Sequence, residues 1–320
     1  MKYRTMSKII LSTTASFSDT VEATDLKNIL AKKDVEAVLH DTFTPPFPFE
    51  AKDVFAIVAG HTKKGVMLHV GPAEASCFPN IKVVTPFGVG TNHIDISGLE
   101  QAGIVVKKLP HFSKRTVAEL ALACMFALAR RLVPLTVAMR AKEWKRQDGA
   151  NIAGKTLGII GLGSIGKEVA KVARGVGMNV IAYDIAYDDA FLKEWNVTKA
   201  DLNTVLASSD FLTLHASFTP ELKHLIGRIE LARMKRGAFL INLARGEIVD
   251  EGALLEALES GALAGAGLDV FSEEPPFKND MLTRLIQHPN VIATPHVGAF
   301  TPETRYAIAE YVCDQIVPYA

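Results

Sequence analysis

The chain has 320 residues, which is enough for two domains of average size. Basic and acidic residues number 35 each, which argues against a dedicated nucleic-acid-binding protein, and three widely separated cysteines give neither metal-ligand spacing nor a disulfide framework. No apolar run reaches the ~18 residues of a membrane span and the N-terminus lacks a signal peptide's features, so we expect a cytoplasmic protein without a metal, nucleic-acid or membrane partner.

Short β-branched runs alternate with helical stretches in the first hundred residues, which predicts a parallel sheet with crossover helices. The predicted strands are residues 8–11, 35–39, 54–59, 81–85 and 104–106. Helices are predicted at residues 20–32 and 73–78.

Apolar residues recur at helical spacing from residue 115 to 131, and after an interruption at Pro134 a second helical segment is predicted at residues 135–144. This pair could pack internally or form a subunit interface. Its apolar character favours the interface, because an exposed connector would be more polar.

A second alternating series begins at Lys155, in the order typical of a doubly wound nucleotide-binding domain. The predicted strands are residues 156–160, 179–183, 211–214, 238–242, 265–269 and 291–293. The predicted helices are residues 166–176, 202–207, 229–234, 252–260 and 302–317. The last of these could pack back on the first domain, whose chain would then be discontinuous.

The run Gly161-Leu162-Gly163-Ser164-Ile165-Gly166 directly follows one of these strands and opens a helix. Gly161 would permit a tight turn, Gly163 would let the backbone approach a pyrophosphate, and Gly166 would let the helix pack closely on the strand. The helix N-terminus would present N–H groups to the phosphates. The alternative is a tight strand-to-helix turn without a ligand.

Asp184 ends the next predicted strand, at the spacing expected of a residue that binds the adenosine ribose. A carboxylate there accepts hydrogen bonds from the ribose hydroxyls and repels a 2′-phosphate, which favours NAD over NADP. The alternative is an aspartate that only begins a turn.

Three further polar residues each follow a predicted strand, at the edge of a parallel sheet where ligands bind. Arg245 can hold a carboxylate through two parallel hydrogen bonds, and His296 can donate or accept a proton near neutral pH. Glu274 against the other ring nitrogen would orient the histidine and stabilise the imidazolium. Alone, each could be a surface ion pair, a structural histidine or a solvated loop charge. Together with the glycine turn they predict hydride transfer to or from a small 2-oxo or 2-hydroxy acid. The role of His215, at another strand end, stays open.

Several motifs between residues 83 and 301 point to a known family. They are Phe87-Gly88-Val89-Gly90-Thr91-Asn92-His93-Ile94-Asp95, Thr116-Val117-Ala118-Glu119-Leu120, the glycine turn, Asn242-Leu243-Ala244-Arg245-Gly246, the segment from Leu268 to Pro275, and Thr294-Pro295-His296. In combination they resemble the D-isomer-specific 2-hydroxyacid dehydrogenase family. The family's arginine, glutamate and histidine fall on Arg245, Glu274 and His296.

The resemblance implies an α/β protein of two doubly wound parallel-sheet domains with a cleft that closes between them. A flavodoxin-like substrate domain would comprise residues 1–106 and 295–320, and a Rossmann-type NAD domain residues 107–294. It also implies a homodimer built largely through residues 115–148. Backbone donors for the substrate carboxylate would fall at Val89 and Gly90. The implied cofactor contacts are Ser164, Ile165, Asp184, Leu243, Arg245 and Asp269.

Within the family, residues 90–92 and 116–120 look most like those of phosphoglycerate dehydrogenases. Those enzymes often place an arginine where this chain has Ala59-Gly60, and Pro86 also stands where some members have arginine. Unless Lys63 or Lys64 substitutes, an unphosphorylated acid such as glyoxylate or hydroxypyruvate is the alternative substrate. Two rivals are a formate dehydrogenase, whose histidine typically pairs with glutamine, and an NAD-sensing corepressor scaffold.

Overall fold

The structure is a computed structural model, and it divides the chain into two units. It describes residues 8–12, 30, 35–40, 42–60, 68–87, 90–110 and 112–320. The first unit is Met1–Phe112 with Ala299–Ala320, and the second unit is Ser113–Gly298. Both dividing points lie a few residues after the predicted boundaries at 106 and 294. The assignment of substrate and cofactor roles to the two units stays a prediction.

The described residues of the first unit form a sheet of five parallel strands. They are β1 (Lys8–Ser12), β2 (Val35–Leu39), β3 (Val54–Ala59), β4 (Val83–Pro86) and β5 (Val105–Val106). Their order, β2-β1-β3-β4-β5, is that of flavodoxin-like folds. β3 is buried along its whole length, as expected for a central strand of a sheet covered on both faces.

Three helices are described in the first unit: α1 (Pro72–Ala75), α2 (Ile96–Gln101) and α11 (Pro302–Ile316). α2 was not predicted, although the Asp95 side chain caps it by accepting the Gly98 N–H at 3.0 Å. The C-terminal helix α11 packs on the sheet through Ile308, Val312 and Ile316. The helix predicted at residues 20–32 lies, apart from Leu30, outside the described residues.

The second unit contains seven parallel strands. They are β6 (Thr156–Ile160), β7 (Asn179–Tyr183), β8 (Val197–Lys199), β9 (Phe211–Leu214), β10 (Ala238–Asn242), β11 (Leu263–Leu268) and β12 (Val291–Ala293). Their order is β12-β11-β10-β9-β6-β7-β8, so the direction of winding reverses between β6 and β9. Ligands of doubly wound sheets bind beyond the carboxyl ends of the strands at such a point. The two parallel sheets confirm the predicted α/β fold class.

Eight α-helices connect or cover these strands. They are α3 (Lys114–Ala129), α4 (Leu132–Arg140), α5 (Ser164–Gly175), α6 (Asp189–Trp195), α7 (Leu202–Ser208), α8 (Arg228–Arg233), α9 (Glu251–Glu259) and α10 (Asp280–Gln287). Two of these helices, α6 and α10, and the three-residue strand β8 were not predicted from the sequence. The two helices are short, and each begins at a side-chain cap from Asp188 or Asn279 rather than at a long apolar periodicity.

The helix pair α3–α4 breaks earlier than predicted. Pro134 lies in the first turn of α4, where the missing N–H costs nothing, and the break falls at Arg131, which has φ +52°. α3 buries one face on the sheet, including Ala121 and Met125, whereas α4 buries no residue. Among the described residues, no single helix is long and apolar enough to cross a membrane; only α3 and α4 taken together are, and they are bent by 62°.

Candidate active site

The glycine turn between β6 and α5 leaves room for a ligand at one position only. A Cβ on Gly161, which has φ +93°, would lie 2.4 Å from the Ala216 nitrogen, and one on Gly166 would lie 2.0 Å from the Gly161 oxygen. The fold therefore needs glycine at both places. Gly163 is exposed, and nothing lies within 4 Å of the Cβ it lacks. A turn that served only to reverse the chain would not need glycine there, so the open space favours the phosphate-binding interpretation.

The N-terminus of α5 supplies the groups that a pyrophosphate needs. Ser164 and Ile165 form its first turn and are partly exposed, and the Lys167 N–H closes the turn by donating to the Gly163 oxygen at 2.9 Å. The N–H groups of a first helical turn have no acceptor within the helix and carry a partial positive charge. The residues present thus fit the phosphates of NAD.

Asp184 has a local role that the sequence analysis missed. One carboxylate oxygen accepts the Leu162 N–H at 2.5 Å, and the other accepts the Ala186 N–H at 3.1 Å. The aspartate therefore fixes the glycine turn to the end of β7. Because each carboxylate oxygen can accept more than one hydrogen bond, the Asp184 side chain can also accept hydrogen bonds from ribose hydroxyls.

Arg245 projects from a turn that Asn242 builds at the end of β10. The buried Asn242 side chain donates to the Arg245 backbone oxygen at 2.9 Å and accepts the Ala244 N–H at 3.1 Å. The Arg245 guanidinium donates to the Ala244 oxygen at 2.6 Å, which leaves its other N–H donors for an anion. Leu243, the predicted cofactor contact before it, is buried.

Gly246 brings the loops after β10 and β11 into backbone contact. A Cβ at this position would lie 2.0 Å from the Phe271 carbonyl carbon and 2.1 Å from the Ser272 nitrogen. No side chain can occupy that space unless one backbone moves. The loop that carries Arg245 therefore lies directly against the loop that carries Glu274.

We expect Gly246→Ala to lower the free energy of unfolding by about 2–3 kcal/mol, because the added methyl group overlaps backbone atoms. Gly252→Ala is the matched control. A Cβ at Gly252, in α9, would meet only an Asp250 carboxylate oxygen, at 3.4 Å. This control should be neutral or more stable by about 0.5–1 kcal/mol. Urea unfolding of the two variants measures the difference, and equal stabilities would contradict the close approach of the loops.

His296 and Glu274 meet as a hydrogen-bonded pair. The His296 Nδ1 lies 2.9 Å from one Glu274 carboxylate oxygen, and the other oxygen accepts the Phe271 N–H at 3.1 Å. The two side chains are 36% and 30% exposed, so the pair is accessible to a ligand. With Nδ1 held by the carboxylate, Nε2 is the ring atom that can exchange a proton with a substrate.

Asp269 anchors the segment that presents His296. Its buried carboxylate accepts the Thr294 hydroxyl at 2.6 Å and the N–H groups of Val297 and Gly298 at 2.8 and 2.7 Å. The His296 N–H donates to the Asp269 backbone oxygen at 2.9 Å, which helps to hold His296 at φ +53°. Burial raises the pKa of Asp269, and these hydrogen bonds offset part of that rise. The resemblance implied a cofactor contact for Asp269, and the structure adds this anchoring role.

His215 lies at the end of β9 beside the glycine turn. Its Nε2 is 2.8 Å from the Thr213 hydroxyl, and its Nδ1 is buried without a hydrogen-bond partner among the described residues. Burial lowers the pKa of His215 to about 3. The ring is therefore neutral at physiological pH, so His215 cannot serve as a cation for the phosphates.

A pH dependence of stability follows from His215. An unfolded histidine titrates near pH 6.5, so between pH 6.5 and about 3 the unfolded chain binds a proton that the folded chain does not. The contribution of His215 to the free energy of unfolding is fully present above pH 6.5 and decreases as the pH falls through that window. The loss at pH 5 is at most about 2 kcal/mol. When the free energy of unfolding, measured with urea, is plotted against pH, His215→Gln should flatten the curve in this window. The exposed His224→Asn should not. Parallel pH curves for wild type and His215→Gln would contradict the buried neutral ring.

The remaining predicted site residues lie in the first unit. Gly90 is described and partly exposed, whereas Val89 lies outside the described residues, as do Lys63 and Lys64. Binding of a substrate carboxylate by Val89 and Gly90 stays a prediction. Among the described residues, no three histidine, cysteine or acidic side chains form a group that could hold a metal ion.

Comparison with known proteins places this arrangement in a family. The model described as D-isomer specific 2-hydroxyacid dehydrogenase, NAD binding domain, matches residues 122–298. The chain is 43% identical over 239 residues to D-3-phosphoglycerate dehydrogenase from Methanocaldococcus jannaschii, an alignment that covers 74% of this chain and 45% of that protein. It is 40% identical over 251 residues to glyoxylate reductase from Thermococcus litoralis, covering 76% of this chain and 75% of that protein.

Solved structures agree over almost the whole chain. D-lactate dehydrogenase from Aquifex aeolicus, complexed with NAD and lactic acid, superposes with a TM-score of 0.81 and 28% identity, covering 96% of this chain and 94% of that one. The chain spans about half the length of the phosphoglycerate dehydrogenases that it matches. The matched NAD-binding domain includes the glycine turn, Asp184, Arg245, Glu274 and His296. The protein is therefore a member of the D-isomer-specific 2-hydroxyacid dehydrogenase family, with NAD as its cofactor.

Proposed function

We propose that the protein interconverts a D-2-hydroxy acid and the corresponding 2-oxo acid. The observation that carries this proposal is the His296–Glu274 pair, 2.9 Å apart, in which Glu274 lies on a loop whose backbone is against the loop of Arg245. A proton donor beside an arginine suits a substrate with a carbonyl next to a carboxylate. Bound NADH would supply the hydride to C2.

The residues act in three roles. Arg245 binds the substrate carboxylate through two guanidinium N–H groups and thereby fixes C2. In reduction, His296 gives the proton on Nε2 to the C2 oxygen while that carbon receives the hydride, so the carbonyl becomes a hydroxyl group. Glu274 holds Nδ1 and stabilises the imidazolium before the transfer. In oxidation, the neutral ring accepts the proton.

The substrate is proposed in two versions. The motif likeness and the 43% identical relative favour a phosphorylated acid of the 3-phosphohydroxypyruvate type. An unphosphorylated acid such as glyoxylate or hydroxypyruvate is favoured by Ala59 and Pro86. These residues are paired neighbours at the ends of β3 and β4, and both are buried. Phosphoglycerate dehydrogenases often have an arginine in the stretch that begins at Ala59, and some members of the family have one at Pro86.

The deciding experiment follows NADH absorbance with glyoxylate, hydroxypyruvate and 3-phosphohydroxypyruvate. A kcat/KM at least tenfold higher for the phosphorylated acid would favour the first version, and the reverse order would favour the second. If no 2-oxo acid is reduced although NADH binds, the enzymatic proposal fails and the NAD-sensing scaffold takes its place.

We also propose that the protein forms a homodimer through residues 115–148. Five apolar side chains of the α4 region are 44–77% exposed, and together they form a surface that water solvates poorly. They are Leu132, Val133, Val137, Met139 and Trp144. Sedimentation should give twice the 34.7 kDa mass of the chain, and the mass of a single chain would contradict the dimer. A cytoplasmic location stays a prediction.

A further inference from the structure

Glu251 is a buried carboxylate that no step of the proposed reaction uses. It begins α9 and is 6% exposed. Among the described residues, no lysine or arginine forms an ion pair with it. An ionised carboxylate in such a place is costly unless hydrogen bonds and helix N–H groups stabilise it. The contacts of Glu251 therefore indicate what this buried carboxylate does.

Both oxygens of Glu251 bind one residue, Ser272. One oxygen accepts the Ser272 N–H at 3.1 Å, and the other accepts the Ser272 hydroxyl. Ser272 therefore has its backbone and its side chain fixed by the same carboxylate. This two-point attachment holds the position of the peptide as well as its orientation.

The attachment point lies within the loop that presents Glu274. Phe271, next to Ser272, donates its N–H to Glu274 at 3.1 Å, and Glu274 in turn holds His296. The same Phe271–Ser272 peptide is the one that lies against Gly246, next to Arg245. Glu251 therefore binds the peptide at which the loop of Glu274 meets the loop of the anion-binding Arg245.

Charge supports the same connection. Burial raises the pKa of Glu251, and the carboxylates of Glu247 and Glu274 raise it further, whereas the bonds from Ser272 lower it. The repulsion between Glu251 and Glu274 is mutual. A negative Glu251 therefore adds to the negative field at the Glu274 carboxylate, which is hydrogen-bonded to His296.

We propose that Glu251 is a positioning residue that acts through Ser272 to set the Glu274 carboxylate against His296. This inference rests on the proposed function. Glu251→Gln tests it, because glutamine keeps the size and one acceptor oxygen but removes the charge and one acceptor. Ser272→Ala removes only the hydroxyl bond. Glu256→Gln, on the same helix and in an exposed ion pair with Arg228, is the matched control.

Two readouts are needed. In the full-length protein, the ¹⁵N resonance of the His296 Nδ1 reports its hydrogen bond to Glu274 without any turnover. We expect Glu251→Gln and Ser272→Ala to move this resonance toward its position in Glu274→Gln, and Glu256→Gln to leave it unchanged. We also expect Glu251→Gln to lower kcat about tenfold with KM for NADH within about twofold, because a small misplacement affects the chemical step more than cofactor binding.

If Glu251→Gln matches Glu256→Gln in both the His296 resonance and kcat, the positioning role is wrong. If the wild type reduces no 2-oxo acid, the proposed function fails, while the resonance alone still decides the link from Glu251 to His296. Circular dichroism checks folding, and Ser272→Ala takes the place of Glu251→Gln if that variant does not fold.

Discussion

Replacing His296 with asparagine is expected to lower kcat by about 10²- to 10⁴-fold and to leave the Kd for NADH nearly unchanged. The reason is that asparagine has no group that transfers a proton near neutral pH, whereas the proposed phosphate and ribose contacts lie on other loops. Stopped-flow and steady-state measurements of NADH oxidation would give kcat, and fluorescence titration would give the Kd.

Asparagine is chosen because His296 has φ +53°, a conformation that asparagine adopts at less cost than alanine. His224 has φ +54° and is exposed, so His224→Asn is a matched control with the same backbone requirement. We expect the control to retain wild-type kcat. An unchanged kcat in His296→Asn would remove the histidine from the mechanism.

Arg245→Lys is expected to raise KM for the 2-oxo acid and to lower kcat/KM by about 10²-fold. Lysine keeps the charge but presents a single ammonium group, which cannot form two parallel hydrogen bonds to a carboxylate. Lysine also carries all its donors on one nitrogen. The hydrogen bond to the Ala244 oxygen and the hydrogen bonds to the substrate would therefore compete for the same ammonium group. The loss tests geometry rather than charge.

Arg284→Lys is the control, since Arg284 lies in an exposed ion pair with Glu259 at 2.7 Å, and such pairs contribute little. Substrate saturation curves at fixed NADH measure the effect. If Arg245→Lys keeps the wild-type KM and kcat, Arg245 does not bind the substrate carboxylate. With a 2-oxo compound that lacks a carboxylate, the wild type and Arg245→Lys should have nearly the same kcat/KM.

Most strands could be predicted almost to the residue because they are short apolar runs bounded by turn residues. β7, β9, β10 and β12 begin and end where the sequence analysis placed them. The three residues of β8 carry too little periodicity to separate a strand from a loop. The helix α6 was also not predicted, although it is as long as the predicted α7. Pro134 was read as a helix break although a proline in the first turn is compatible with a helix.

The candidate site was predictable to the extent that it depends on strand ends. Glu274 and His296 follow different strands, and the parallel sheet brings their loops to one edge, where the two side chains bond. The attachments of Asp269 to Thr294 and of Glu251 to Ser272 were not predictable. They join residues 25 and 21 positions apart through irregular loop backbone, whose path depends on packing rather than on local sequence.

The absence of a side chain at Gly246 has a consequence for protein engineering. Residues 243–248 and 269–274 are in close backbone contact at Gly246. We therefore expect the two loops to keep their fit only when they are exchanged together. A transplant of either loop alone from a homologue would import a surface shaped for a different neighbour. Exchanging both loops together with the first turn of α9 would preserve the fit, so libraries aimed at new hydroxy acids should randomise side chains on this frame and keep its main chain.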